Sequence, residues 1–109
     1  MSQEVRDRLA GLEGWTKSAE WPAAWDKGNY TEHWHPIPDD LTTCAAMWDK
    51  YAREFGWKWA KTNNAYTAMG DGKRCVCWAE SEITGTNAAS ELRDRWALLG
   101  EVLKARGVW

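Results

Sequence analysis

A chain of 109 residues is the usual size of one domain and too short for two ordinary ones. Its 14 basic and 16 acidic side chains leave a formal net charge of -2, which supplies no global pull toward nucleic acid or an anionic membrane. Three cysteines, no apolar run of membrane-spanning length and a polar opening at Met1-Ser2-Gln3-Glu4 argue against a disulfide scaffold, a spanning helix and a signal peptide, and lead us to expect a cytoplasmic protein.

Ser2 caps a helix predicted over 2–13, on which Val5, Leu9 and Leu12 fall at helical spacing and Gly11 and Gly14 mark the end. Over 15–38 the periodicity fails: Trp15, Trp21, Trp25, Tyr30 and Trp34 are scattered among Pro22, Gly28, Asn29 and several charges. One short strand is expected near 30–34, with Tyr30 and Trp34 on one side and Thr31, His33 and His35 on the other. The rest of the segment reads as a long ordered loop pinned by its indoles, and loops of that length often carry function.

Pro36-Ile37-Pro38 stops the strand, and Asp39 or Asp40 caps a helix predicted over 39–55. There Leu41, Cys44, Ala45, Trp48, Tyr51, Ala52 and Phe55 follow the i, i+3, i+4, i+7 pattern, and Gly56 is the stop. Strands predicted at 57–61, 65–69 and 75–80 form a meander with turns at Asn63-Asn64 and Gly70-Asp71-Gly72. Asn87 caps a last helix over 87–106, with Ala88, Leu92, Trp96, Leu99 and Leu103 on one face and Gly107 at its end. The expected fold class is α+β: a small antiparallel sheet of three strands, or four, packed with two or three amphipathic helices in a single domain over 1–109.

Several of these features occur together in one family. They are Gly14-Trp15 at the end of the first helix, Trp34-His35-Pro36 with Pro38-Asp39-Asp40 entering the second, and Ala45-Ala46-x-Trp48 inside it. The aromatic strand after Gly56 and the closing Leu98-Leu99-x-x-Val102-Leu103-Lys104-Ala105 complete the set. The chain thereby resembles the phage ABA sandwich domain family over most of its length. The resemblance implies a phage-encoded α/β sandwich working in the host cytosol, and it brings neither an activity nor a functional residue. The sequence departs from the family at 91–95, where a charged turn stands in place of small apolar residues.

Candidate chemistry is sparse. His33 and His35 flank Trp34, and Cys75 and Cys77 flank Val76, so each pair offers two zinc-type ligands on one face of an extended segment. Ligands spaced by one residue along a strand are not a usual zinc pattern, however, and small core cysteines with solvated histidines explain the same residues. Cys44 falls on the apolar helix face, which quiets a thiol. Asp39 with Asp40 reads as a helix cap and Glu80 with Glu82 as a solvated strand end, more readily than as acid pairs. Gly70-Asp71-Gly72-Lys73 is too short for a phosphate loop and precedes a strand.

Tryptophan is the outlier, with ten in the chain against one Phe. A core this small does not absorb ten indoles, each with an N–H that wants a partner. Trp21, Trp25, Tyr30 and Trp34 are therefore candidate contact residues, since Trp is favoured at binding hot spots. Trp57 and Trp59 alternate with Lys58, and Lys61, Lys73 and Arg74 lie nearby, an interleaving that suits stacked bases or nucleotides. The favoured arrangement for Trp57 and Trp59 is nevertheless inward, against the helices. No nucleophile, base and orienter can be assembled into a set, and no cofactor or metal is called for. The resulting expectation is a non-enzymatic phage accessory protein that binds a host or phage protein, one of a defence system for example, through its Trp-rich surface. The alternatives are a nucleotide-binding sponge using stacked Trp with Lys58, Lys61, Lys73 and Arg74, and a structural homo-oligomer. Neither a membrane nor double-stranded nucleic acid is an expected partner.

Overall fold

The computed structural model describes residues 2–62, 65–70, 73–77 and 88–109, with the side chains at 2, 61, 62, 65, 73–77 and 88 outside that description. The described residues form an α+β fold in the order α1 (Ser2–Leu12), β1 (Thr16–Lys17), β2 (Trp25–Lys27), β3 (Tyr30–Glu32), α2 (Leu41–Phe55), β4 (Trp57–Thr62), β5 (Ala65–Gly70), β6 (Lys73–Cys77) and α3 (Ala88–Ala105). The three expected helices and the meander at β4–β6 are present. The turns at Asn63-Asn64 and Asp71-Gly72, the strand extension over 78–80, Glu80, Glu82 and the Asn87 cap lie outside the described residues.

The segment over 15–38 holds more order than its missing periodicity suggests. In place of one short strand it forms a second three-stranded antiparallel sheet, β1-β2-β3, and its last strand ends at Glu32, not Trp34. Lys27 pairs with Tyr30, so Gly28-Asn29 is a two-residue hairpin loop, and Gly28 takes the positive φ of 61° that such a turn needs.

Of the two candidate caps for α2, Asp40 is the one used: its carboxylate accepts the Thr43 N–H at 2.7 Å. The neighbouring Asp39 instead accepts the Trp96 indole N–H at 2.8 Å and joins the second helix to the third. The Gly56 N–H reaches the Ala52 carbonyl at 3.0 Å and ends α2. Cys44, Trp48, Tyr51 and Ala52 are buried as the spacing requires. Leu41 and Ala45 are exposed, as is Leu12 on α1, because the apolar stripes lose their cover at the helix ends.

One apolar cluster joins all parts: Val5, Leu9 and Ala10 of α1, Trp25 of β2, the α2 stripe, Trp57 and Ala68 of the meander, and Trp96, Leu98, Leu99, Val102 and Leu103 of α3. The last helix is buried more widely than a single stripe because α1 packs on one side of it and α2 with β6 on another. At the α1–α3 crossing the helices come so close that a Cβ on Gly100 would lie 2.8 Å from Val5 Cγ2. The molecule measures 46 × 32 × 18 Å, and 18 Å is about one helix layer on one sheet layer. That thickness explains the fate of the indoles. Trp25, Trp48, Trp57 and Trp96 are buried, Trp15, Trp59 and Trp109 are half-buried, Trp21 and Trp34 are exposed, and Trp78 lies outside the described residues.

Candidate partner-binding surface

The β1–β3 sheet has two unlike faces. Its register sets Lys17, Trp25 and Glu32 in one row and Lys27 opposite Tyr30 in the next, all on one side. Thr16, Asp26 and Thr31 line up on the other side, where the Thr31 hydroxyl donates to Asp26 Oδ1 at 2.8 Å. On the first side cations and rings interleave: Lys17 Nζ lies 5.4 Å from the Trp25 ring centre and Lys27 Nζ lies 5.5 Å from that of Trp15. Tyr30 meets Trp15 edge-on at 6.0 Å.

Trp25 is the anchor of this sheet and not part of its free surface. It is 7% exposed, belongs to the core cluster and packs at 5.1 Å against the His35 ring. Its place in the candidate contact set is therefore corrected: a ring buried by its own fold has no face to offer a partner. The other three members do project, with Trp21 57%, Tyr30 58% and Trp34 80% exposed.

Their backbone is held by short-range hydrogen bonds. Ser18 Oγ accepts the N–H groups of Glu20 and Trp21, both at 3.2 Å, and the Ala24 N–H closes on the Trp21 carbonyl at 2.9 Å. The Trp21 ring meets His33 edge-on at 6.1 Å. Glu32 accepts the Tyr30 hydroxyl at 2.9 Å with one oxygen and the Trp34 N–H at 3.3 Å with the other. The hydrogen bond from Tyr30, seconded by the one from Trp34, holds the Glu32 carboxyl below the usual range, and the same contact raises the Tyr30 phenol. Glu32 thus ties the Tyr30 side chain and the Trp34 backbone to one carboxylate. Sequence reasoning missed Glu32 and Ser18, as well as the flanking Lys17 and Lys27. The available signal was Gly28-Asn29, a hairpin dipeptide between two three-residue segments.

The other candidate constellations come apart. Against the solvated histidine that the sequence suggests, His35 is bonded at both ring nitrogens: Nε2 lies 2.7 Å from Asp7 Oδ1, and Nδ1 accepts the Ile37 N–H at 3.0 Å. The second bond fixes the tautomer with its proton on Nε2, and both nitrogens are engaged, which leaves no lone pair for a metal or for a base. His33 is exposed beside Trp21, and the side chains of Cys75 and Cys77 lie outside the description. Among the described residues no group of three His, Cys, Asp or Glu is placed to hold a metal ion. Burial pushes the Cys44 thiol up to about 12, so it carries no thiolate near neutrality.

In the meander, Trp57 is buried and Trp59 stacks on Trp48 at 4.0 Å, so both turn inward. Lys58 is exposed; the side chains of Lys61, Lys73 and Arg74 lie outside the description. A hollow of about 440 Å³ lies between α1 and α3 against Trp109, rimmed by Glu4, Arg8, Glu101 and Lys104. Two acids against two bases give it no preferred ligand charge. Among the described residues no helix is long and apolar enough to cross a membrane. The chain matches no protein-family model, no curated protein and no solved structure.

Proposed function

We propose that this chain is a non-enzymatic binding protein that holds a protein partner through Trp21, Tyr30 and Trp34. The observation that carries the reading is their exposure on a frame already tied by Ser18 and Glu32. Large aromatic side chains give the most contact energy per ordered residue, and a frame held before contact lowers the entropy lost on binding. The resemblance to phage ABA sandwich proteins makes a host protein, one of a defence system included, the first partner to seek. The nucleotide-sponge alternative has less support, because Trp57 and Trp59, its stacking platform, are turned into the core.

The test compares wild type with a Trp21→Ala, Tyr30→Ala, Trp34→Ala variant in pull-downs from bacterial lysate, read by mass spectrometry. We expect one stoichiometric host protein with wild type and at least about a hundredfold weaker capture with the variant, as loss of a hot-spot cluster requires. The melting temperature should stay within a few degrees of wild type, since these rings leave the core intact. Equal capture by a folded variant overturns the reading. A wild-type particle of twice the monomer mass that becomes monomeric in the variant overturns it in favour of self-association.

A further inference from the structure

The charged turn at 91–95 has a structural consequence on α3, a helix otherwise buried through Leu, Val and Trp. Glu91 and Arg95 stand one turn apart, and Arg95 Nη2 and Nε approach Glu91 Oε1 at 3.0 and 3.2 Å. The guanidinium is not left in solvent. Only 17% of the Arg95 side chain is exposed, and its Cζ lies 5.0 Å from the Trp48 ring centre and 5.2 Å from that of Tyr66. Nη2 also donates to the Tyr66 hydroxyl at 3.2 Å.

The walls around this cation are fixed by other means. Trp59 stacks on Trp48 with 17° between the planes, and Tyr66 meets Trp48 edge-on at 5.2 Å and 80°. The Trp48 indole N–H donates at 3.1 Å to the backbone carbonyl of Arg95, a contact that does not depend on the side chain of that residue. Two aromatic rings with centres 5.0 and 5.2 Å from the cation, a carboxylate and a hydroxyl are the groups by which a delocalised cation is recognised: ring quadrupoles attract its charge while the oxygens meet its N–H donors.

We propose that Trp48, Tyr66 and Glu91 form a guanidinium-binding site whose resident ligand is the protein's own Arg95 side chain, and that the site persists when this side chain is cut back. An external guanidinium then takes the vacated place. A compact ammonium ion lacks the flat face and the fork, and binds worse. This site is separate from the surface of Trp21, Tyr30 and Trp34 and does not depend on the function proposed for it.

The test is thermal unfolding of Arg95→Ala with guanidinium chloride titrated to the order of 10 mM, far below the molar range in which it denatures. Sodium chloride at equal ionic strength, urea and methylammonium chloride serve as controls. We expect the variant to melt below wild type and to recover most of that loss in guanidinium, rising with the logarithm of its concentration as a ligand of the folded state does. Sodium chloride and urea should restore none of it, and methylammonium only a minor part. Wild type, its site already filled, should not rise. Adding Glu91→Gln should raise the dissociation constant fitted to that rise about tenfold, because a charge-assisted bond becomes a neutral one. If Arg95→Ala lacks native near-ultraviolet circular dichroism in buffer, the same titration reads its return. A signal that guanidinium leaves unmoved, or that sodium chloride moves equally, overturns the proposal.

Discussion

Three of the interior indoles donate their N–H to a defined acceptor: Trp48 to the Arg95 carbonyl, Trp59 to the Trp48 carbonyl at 3.3 Å and Trp96 to Asp39 Oδ1. Trp57 is buried as fully as Trp48, yet its Nε1 has no partner among the described residues. Exchange of Trp for Phe therefore means different things at the two kinds of site. At Trp96 it removes ring volume and also strips a hydrogen bond from Asp39. At Trp57 it removes ring volume but also a donor already desolvated without return. We expect Trp57→Phe to cost about 1.5–3 kcal/mol less than Trp96→Phe in urea unfolding, the usual margin for one charge-assisted hydrogen bond. Equal costs would mean that Trp57 has an acceptor after all. This scale is where the sequence was least legible. Trp96 could be placed inside because it keeps phase with Leu92, Leu99 and Leu103. Nothing in the local pattern told Trp25, a core anchor, from Trp21, an exposed ring four residues earlier, because the difference lies in a His35 ring brought from another part of the chain.

A glycine-dependent contact at Gly100 sets how α1 and α3 meet. A methyl group there would face Val5 Cγ2 at 2.8 Å, and Val in a helix has little freedom to turn away. Gly100→Ala alone is expected to destabilise by about 1–2 kcal/mol, overpacking outweighing the gain in helix propensity. In a Val5→Ala background the clashing methyl is gone and the propensity term of about 0.5–1 kcal/mol remains, so the same substitution should become stabilising. The measurement is a double-mutant cycle by chemical denaturation, and an unchanged sign in both backgrounds would place the α1–α3 contact elsewhere. Element by element, legibility followed amphipathic contrast. The α2 stripe from Cys44 to Ala52 and the alternating Trp57-Lys58-Trp59 declare their periods. Trp25-Asp26-Lys27 and Tyr30-Thr31-Glu32 do not, since one face of that sheet carries lysines and aromatics together and the other carries threonines with an aspartate. A strand that presents Lys stems over indole rings hides its period from any count of apolar residues. The fold class was readable from the helices and the meander, whereas the sheet that carries the candidate surface was not.

Across the whole molecule, the titrating groups predict where stability fails. Glu13, just past α1, ties that helix to α2 by accepting from the Lys50 ammonium and, at 3.0 Å, from the Tyr51 hydroxyl. Partial burial works to raise its carboxyl, but the bonds from Lys50 and Tyr51 outweigh that and hold it below the ordinary value. Asp40, bonded by the Thr43 N–H, and Glu32 are lowered as well. A carboxylate with a depressed folded-state pKa contributes stability that is present above its unfolded pKa, near 4, and disappears as pH falls through the folded one. On the alkaline side, burial lifts Cys44 to about 12, and burial together with the Glu13 bond raises Tyr51. Groups of this kind favour the folded state below their unfolded pKa. As pH rises past about 9 the unfolded chain releases the thiol proton while the folded chain keeps it, and each such proton costs up to about 1.4 kcal/mol per pH unit. Urea midpoints should therefore be flat from about pH 5 to 9 and fall at both ends. Substitutions separate the groups behind the two limbs. Glu13→Gln should make the acid limb shallower and, because Glu13 also helps to raise the Tyr51 phenol, ease the Tyr51 part of the alkaline limb while the Cys44 part stays. Cys44→Ala should lower the plateau through its small cavity while flattening the descent above pH 9. If the alkaline slope of Cys44→Ala equals that of wild type, the buried thiol is not what limits the fold there, and the raised phenols of Tyr51 and Tyr30 are the groups among the described residues left to account for it.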